Sequence, residues 1–144
     1  MGLLIRPAEP RDEARIREVA AASKGHWGYD PERVRAWAST LELVGEVDVA
    51  EAGGEVVAWS ALLPRDGDVC VLEELWVDPP WIGKGVGTEL FHRAAERARA
   101  RGARALEWES EPNAVGFYEK MGGVPVRERL SSWGRVLTVM RIEL

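Results

Sequence analysis

The sequence predicts one domain of mixed α/β fold, in which a single sheet is covered by helices. The chain has 144 residues, the length of one domain, and 46% of them are hydrophobic, which is enough for a core. Short apolar segments of strand-like composition are interspersed with segments whose apolar residues recur at helical spacing. Their order is a strand, two helices, three strands, a helix, a strand, a helix and two strands. This order favours a mixed sheet flanked by helices, formed by residues 1–144 as one unit.

Two helices are predicted in the N-terminal part of the chain. Residues 9–12 open the first with acidic side chains in its first turn, and Lys24 and Gly25 are expected to stop it. The second begins with Asp30 as the N-cap and Pro31 at the first helical position. The loop between these helices, residues 24–30, is dense in aromatic residues and glycine.

The remaining elements are bounded by turn signals. Gly53 and Gly54 indicate a hairpin, Asp66 and Gly67 a turn into the central strand, and Gly102 the end of a long helix. The later helices are predicted from Thr88 onward and over residues 113–121, and the strands are predicted at Leu3–Pro7, Glu46–Ala52, 55–63, Val69–Val77, Ala105–Ser110, 124–129 and 136–144.

Composition narrows the classes of function. A formal charge of −5 and a pI near 5.2 argue against a nucleic-acid partner and mildly favour a cationic substrate. No apolar run is long enough for a membrane helix, and the N-terminus lacks the pattern of a secretory signal, so no membrane partner is expected. One cysteine, Cys70, rules out an internal disulfide and fits a cytoplasmic location. No His/Cys cluster suggests a metal.

A glycine-spaced turn follows the central strand. Asp78 and Pro79 end the strand, and Gly83, Gly85 and Gly87 lead into a helix. Free backbone N–H groups at a helix N-terminus bind anions, and glycines let a phosphate approach the main chain. The spacing matches neither a P-loop nor the dinucleotide-binding fingerprint. We therefore expect this turn to hold a pyrophosphate of another kind.

Two blocks of sequence resemble the motifs of the GNAT N-acetyltransferase superfamily. Val77-Asp78-Pro79 with residues 81–90 is similar to its motif A, and residues 111–122, which contain Phe-Tyr-Glu-Lys-Met-Gly, are similar to motif B. The resemblance covers most of the chain. Ile82 stands where the family usually has Arg or Gln, and Glu111 where many members have Asn, with Asn113 displaced by two.

The resemblance implies a GNAT-like fold and acetyl-CoA as co-substrate. In that fold the sheet is mixed and mostly antiparallel, and its parallel strands, here Val69–Val77 and Ala105–Ser110, splay apart to admit the thioester arm. No metal is required. The residues implied to bind acetyl-CoA are Leu75, Trp76 and Val77 through their backbone, the turn residues Ile82, Gly83, Lys84, Gly85, Val86, Gly87 and Thr88, and Asn113 and Tyr118.

Acetyl transfer to an amine needs a base and an acid. Glu73 and Glu74 adjoin in the central strand and point to opposite faces, so only one should look into the cleft. We favour Glu73 as the base, as the resemblance implies an acidic residue here; a β-bulge would reverse the parity and select Glu74. Tyr118 is the candidate acid, because a phenol held close can protonate a departing thiolate.

The acceptor pocket is implied to lie between the first two helices, where Trp27 and Tyr29 fall. These aromatics could cage an ammonium group or stack a flat substrate, or instead fold onto the core; His26 could also touch substrate. The sequence thus predicts an acetyl-CoA-dependent N-acetyltransferase acting on a primary amine of a small molecule. The alternatives are a protein N-terminal or lysine acetyltransferase and a non-catalytic acyl-CoA-binding module. A homodimer is a further expectation from the family.

Overall fold

The computed structural model describes residues 2–65 and 68–144, and within them seven strands form one sheet of order β1-β2-β3-β4-β5-β7-β6. The predicted mixed α/β fold is confirmed. The elements are β1 (Leu3–Pro7), α1 (Glu13–His26), α2 (Pro31–Ser39), β2 (Glu46–Ala52), β3 (Glu55–Pro64), β4 (Val69–Val77), α3 (Val86–Ala100), β5 (Ala105–Ser110), α4 (Val115–Lys120), β6 (Val124–Leu130) and β7 (Val136–Glu143), with short 3₁₀ turns at Pro10–Asp12, Pro79–Trp81 and Pro112–Ala114.

The sheet opens between its two parallel strands. All other neighbouring strands are antiparallel, whereas β4 and β5 run parallel and pair over three residues each, Val69–Val71 opposite Ala105–Glu107. β4 continues to Val77 along β3, so its C-terminal half keeps one edge that is not paired with β5 within the described residues. This gap confirms the predicted splay and leaves backbone N–H and C=O groups available to a ligand.

Helices cover both faces of the sheet. Alternate strand residues point to opposite faces, and each face buries a different helix. Ile16 and Val19 of α1 pack with Val49 and Trp59. On the other face Leu90 of α3 packs with Ala50 and Ala58, the strand neighbours of Val49 and Trp59. Tyr118 of α4 joins the cluster around Phe91 on this face. The gap between β4 and β5 therefore has α1 on one side and α3 with α4 on the other.

Several predicted helix boundaries are wrong, among them the end of α1 and the start of α3. α1 runs through Lys24 and Gly25 to His26, because Lys24 is buried at the end of the helix, and its packing outweighs the weak helix propensity of the glycine. α3 begins at Val86 rather than Thr88, directly after Gly85. The predicted turn at Asp66 and Gly67 lies outside the described residues. Among the described helices, none combines the length and apolar character needed to span a bilayer.

Candidate active site

Two pockets meet at the gap between β4 and β5. The first, the glycine cleft, has a volume of about 400 Å³ and follows the end of β4 into the glycine turn. The second, the aromatic pocket, has a volume of about 290 Å³ and lies under α1, α2 and the loop before β7. They share a wall, so a molecule extending through one can reach the other; the residues common to both linings are Ser23, Trp27, Leu75, Asn113, Ala114 and Tyr118.

The glycine cleft ends at the bare N-terminus of α3. Gly85 is the N-cap residue with φ 84°, a backbone conformation that L side chains rarely adopt, and no side chain caps the helix. The first-turn N–H groups have no helical carbonyl before them, and Glu89 is the residue whose N–H reaches Gly85 O, at 3.2 Å. A Cβ on Gly83 or Gly85 would meet nothing within 4 Å. The turn is thus open to an anionic group.

Most of the residues predicted to bind the cofactor line this cleft. Three do not. Val86 is buried in the core at the start of α3, Lys84 Nζ lies 5.3 Å from the centroid of the Trp81 ring, and Trp76 lines the aromatic pocket. The predicted residues in the lining are Leu75, Val77, Ile82, Gly83, Gly85, Gly87, Thr88, Asn113 and Tyr118.

A β-bulge in β4 separates Glu73 from Glu74, both of which line the aromatic pocket. Ala61 of β3 pairs with Glu74, but the next residue, Leu62, pairs with Leu72, so Glu73 is the extra residue. Glu74 and Trp76 alternate normally and share the face of Ala61 and Trp59 on the α1 side of the sheet. The bulge places Leu72 on the opposite face, with Leu62. Glu73 is exposed and Glu74 is half-buried. The parity reversal that would select Glu74 is therefore present.

Glu74 has the electrostatic environment of a base. Its Oε1 accepts a hydrogen bond of 2.8 Å from Trp76 Nε1. Burial raises the pKa of Glu74 to about 7; the Trp76 hydrogen bond and Lys24 oppose this shift, and the charge of Glu73 adds to it. A carboxylate with a pKa near neutrality can both take up and release a proton at physiological pH.

Tyr118 stands in the wall between the two pockets. Its ring packs against Trp108 and Phe117, with centroids 5.0 Å away in each case, and the residue is 7% exposed. Burial raises the pKa of the phenol above its usual range. The hydroxyl therefore stays protonated at neutral pH and can donate a hydrogen bond to a group lying in the shared wall.

The aromatic pocket contains a caged ammonium group that the sequence did not predict. Lys24 Nζ lies over four rings, at 4.5 Å from the centroid of Trp133, 4.6 Å from Tyr29, 4.7 Å from Trp37 and 5.4 Å from Trp76. Glu111 Oε1 is 3.8 Å from the same nitrogen. Burial lowers the pKa of Lys24, although Glu111 and Glu74 counteract it.

Of the three residues predicted to contact substrate, Trp27 lines the pockets and the other two do not. Trp27 lines both pockets. Tyr29 lines neither: Lys24 Nζ lies 4.6 Å and the Arg135 guanidinium 3.7 Å from its ring centroid, and its hydroxyl donates to Glu111. The expected direct contact of Tyr29 with substrate is thus not supported by its position. His26 is exposed, stacks edge-on against Trp27 and lines neither pocket.

The spacing of apolar residues along α1 could have predicted that Lys24 points inward. Ile16, Ala20 and Lys24 recur at four-residue intervals and so share one face of α1, and the first two are fully buried. The sequence reading treated Lys24 as a stop signal and missed this. Trp133 and Trp37 also line the pocket, and they come from the loop before β7 and from α2.

Comparison with known proteins agrees with this geometry. The model of the acetyltransferase (GNAT) family matches residues 13–123. A glucosamine 6-phosphate N-acetyltransferase of Oryza sativa is 32% identical over 134 residues, which cover 86% of this chain and 72% of the relative. An uncharacterised N-acetyltransferase of Methanocaldococcus jannaschii is 36% identical over 73 residues, but the match covers 49% of this chain and only 32% of that protein.

A solved structure has the same architecture. The GCN5-related N-acetyltransferase from Rhodopseudomonas palustris superposes with a TM-score of 0.84 at 26% identity, and the match covers 100% of this chain and 97% of that one. The correspondence extends from the first strand to the last, so both pockets lie within the shared fold.

Proposed function

This chain belongs to the GNAT acetyltransferase family, and from that premise we propose that it transfers the acetyl group of acetyl-CoA to the primary amine of a small molecule. The observation that carries the proposal is the meeting of the two pockets. An anion-binding helix terminus lies at the end of one, a carboxylate with a pKa of about 7 lies in the other, and Tyr118 stands between them.

The glycine cleft suits the nucleotide end of acetyl-CoA. The bare N-terminus of α3 would bind the pyrophosphate through backbone N–H groups, and these do not depend on the side chain at Ile82. The unpaired edge of β4 at Leu75 and Val77 would bind the pantetheine amides as an added strand does. Acetyl-CoA supplies the activated acyl group. The protein would hold its pyrophosphate at α3 and its pantetheine arm along β4.

The chemistry then falls to Glu74 and Tyr118. A primary amine has a pKa near 10 and arrives protonated at neutral pH. Glu74 takes that proton, directly or through water, so that the nitrogen can attack the thioester carbonyl. A backbone N–H of β4 stabilises the oxyanion. Tyr118 donates a hydrogen bond or proton to the sulfur as the C–S bond breaks, and the products are the amide and free coenzyme A.

A small acceptor is favoured by the shape of the aromatic pocket. Its volume of about 290 Å³ is that of a pocket for a small molecule, and the loop before β7 closes one side, where Arg135 Nη1 donates to Trp27 O at 3.1 Å. The Oryza sativa relative is also named for a small molecule, an amino sugar phosphate. A protein N-terminus or lysine would require an open groove instead. A cytoplasmic location and a homodimer remain predictions.

The test is an acceptor panel assayed by release of free thiol from acetyl-CoA. It should contain amino acids, amino sugars, polyamines and short peptides, and the products should be identified by mass spectrometry. Turnover with a small amine and none with peptides is the expected result. Turnover only with peptides would overturn the small-molecule proposal. Binding of acetyl-CoA without transfer to any acceptor would favour the non-catalytic binding module.

A further inference from the structure

Lys24 differs from the other buried charged residues of the described chain. Asp12, Asp48 and Glu107 are also buried, and each accepts hydrogen bonds from arginine: Asp12 at 2.8 and 3.0 Å from Arg6, Asp48 at 2.6 and 2.8 Å from Arg97, and Glu107 from Arg65 and Arg141. The Lys24 side chain is 7% exposed, and its nearest carboxylate oxygen, Glu111 Oε1 at 3.8 Å, is beyond hydrogen-bond distance.

The cage fixes the position of Lys24 without satisfying it. Aromatic faces attract a cation but accept no conventional hydrogen bond, so the three N–H donors of the ammonium group remain unused by residues 2–65 and 68–144. A buried polar group without a partner is costly, and such groups are normally satisfied by protein, water or ligand. Lys24 lines the aromatic pocket, so a molecule bound there can supply the missing acceptor atoms.

We propose that Lys24 binds an anionic group, a carboxylate or a phosphate, on the acceptor molecule, which therefore carries an amine and an anion together. This inference rests on the proposed function and names the acceptor class. Within one pocket Glu74 faces the ammonium end of the acceptor, and Lys24 faces the anionic end. An anion beside Lys24 would also offset the burial that lowers the pKa of this lysine.

The same geometry argues against a purely cationic acceptor held by the aromatic rings. Besides Lys24, the Arg33 guanidinium lies 4.2 Å from the centroid of Trp133, and that of Arg135 lies 3.7 Å from the centroid of Tyr29. The rings already hold the protein's own cations. An added ammonium group at the cage would meet Lys24 and be repelled, whereas an anion would be attracted by Lys24, against the opposing charge of Glu111 3.8 Å from the same nitrogen.

Matched pairs of amines test the proposal with the wild-type protein. Each pair shares its amine and differs in the anion: an amino acid against its amide, and glucosamine 6-phosphate against glucosamine. We expect kcat/KM to be about 10- to 100-fold higher for the anionic member of at least one pair, the range given by one charge-assisted hydrogen bond. The carboxylate and phosphate pairs distinguish the two kinds of anion.

Variants at Lys24 tie the preference to this residue. Lys24→Met keeps the length and removes the charge, and it should abolish the preference while leaving acetyl-CoA affinity, measured by calorimetry, unchanged. Lys24→Arg keeps the charge and should retain the preference. Two results would overturn the assignment: a folded Lys24→Met that keeps the wild-type preference, or a wild-type protein that acetylates the uncharged members as well as or better than the anionic ones in every pair. Failure of acetyl-CoA to bind, or acetyl-CoA binding with no turnover of any amine, would instead overturn the proposed function. If Lys24→Met does not fold, the wild-type pairs alone decide.

Discussion

The glycine cleft and the aromatic pocket share a wall but are built in different ways. Half of the cleft's lining comes from one stretch, the end of β4, the glycine turn and the start of α3, and this stretch offers backbone groups to a ligand. The aromatic pocket takes its side chains from α1, α2, β4 and the chain around residues 109–114 and 129–137. The anion-binding part of the cleft is thus encoded locally, whereas the aromatic pocket exists only once the chain has folded.

This difference separates two tasks, the binding of the co-substrate and the choice of the acceptor amine. Backbone N–H groups at a helix terminus bind any pyrophosphate and tolerate substitution of neighbouring side chains. The aromatic pocket instead depends on particular charges, Glu74 and Lys24, held in place by distant segments. On the proposed function, the cleft binds the co-substrate and the pocket determines which amine is acetylated.

The largest effect is expected in the aromatic pocket, from Glu74→Gln. This change keeps the shape and removes the base, which costs about 100-fold or more in kcat/KM near neutral pH. In the wild type kcat/KM should rise with pH through about 7 as Glu74 loses its proton, since its pKa is raised to about 7. In the variant this rise, the acidic limb of the pH profile, should vanish. High pH should partly rescue kcat/KM because free amine becomes abundant.

The pH profile is the readout that distinguishes a base from a packing residue. It should be measured with saturating acetyl-CoA and subsaturating amine. A Glu74→Gln protein that keeps both the wild-type rate and its acidic limb would remove Glu74 from the mechanism and, with it, the catalytic contribution of this pocket.

The next effect tests the glycine cleft. Gly85→Asp and Gly85→Asn form a matched pair, because both side chains tolerate φ near 84° better than other residues do, and only the first adds a negative charge. Gly85→Asp should weaken acetyl-CoA binding about 10-fold more than Gly85→Asn in calorimetry, because the charge opposes the pyrophosphate. Equal affinities of the two folded variants would place the pyrophosphate elsewhere.

The sequence predicted the cleft far better than the pocket. The bounds of Val69–Val77 and the glycine turn are confirmed, because strand composition and turn chemistry act over neighbouring residues. The bulge at Glu73 depends on how β4 pairs with Ala61 and Leu62, which no local pattern reports. The sequence offered the bulge as an alternative and favoured Glu73.

Lys24 and Tyr29 show what cannot be predicted from neighbouring residues alone. The predicted helix stop at Lys24 is wrong, because tertiary packing carries α1 beyond it and places its side chain in a cage whose rings come from four other segments. Tyr29 is predicted to contact substrate, and in the structure its ring is held by the cations of Lys24 and Arg135. Neither arrangement could be predicted, because charge–aromatic contacts between distant segments leave no periodic signal in the sequence.

A smaller effect is expected in the shared wall. Tyr118→Phe removes the hydroxyl and keeps the ring packed against Trp108 and Phe117. We expect kcat to fall about 10- to 100-fold, because the raised pKa of the phenol makes it a weaker acid than an exposed tyrosine. The affinity for acetyl-CoA should stay unchanged in calorimetry. A loss of affinity with unchanged kcat would assign Tyr118 to the cleft alone.

The smallest effect is expected from Glu73→Gln, and it tests the bulge itself. Glu73 is the extra residue of β4 and is exposed, so removing its charge should leave kcat/KM at pH 8 within about twofold of the wild type, as for most changes at exposed positions. The charge of Glu73 contributes to the raised pKa of Glu74. Its removal should therefore move the acidic limb of the pH profile to lower pH without changing the plateau. A loss as large as that of Glu74→Gln would mean that Glu73, which also lines the aromatic pocket, is the base.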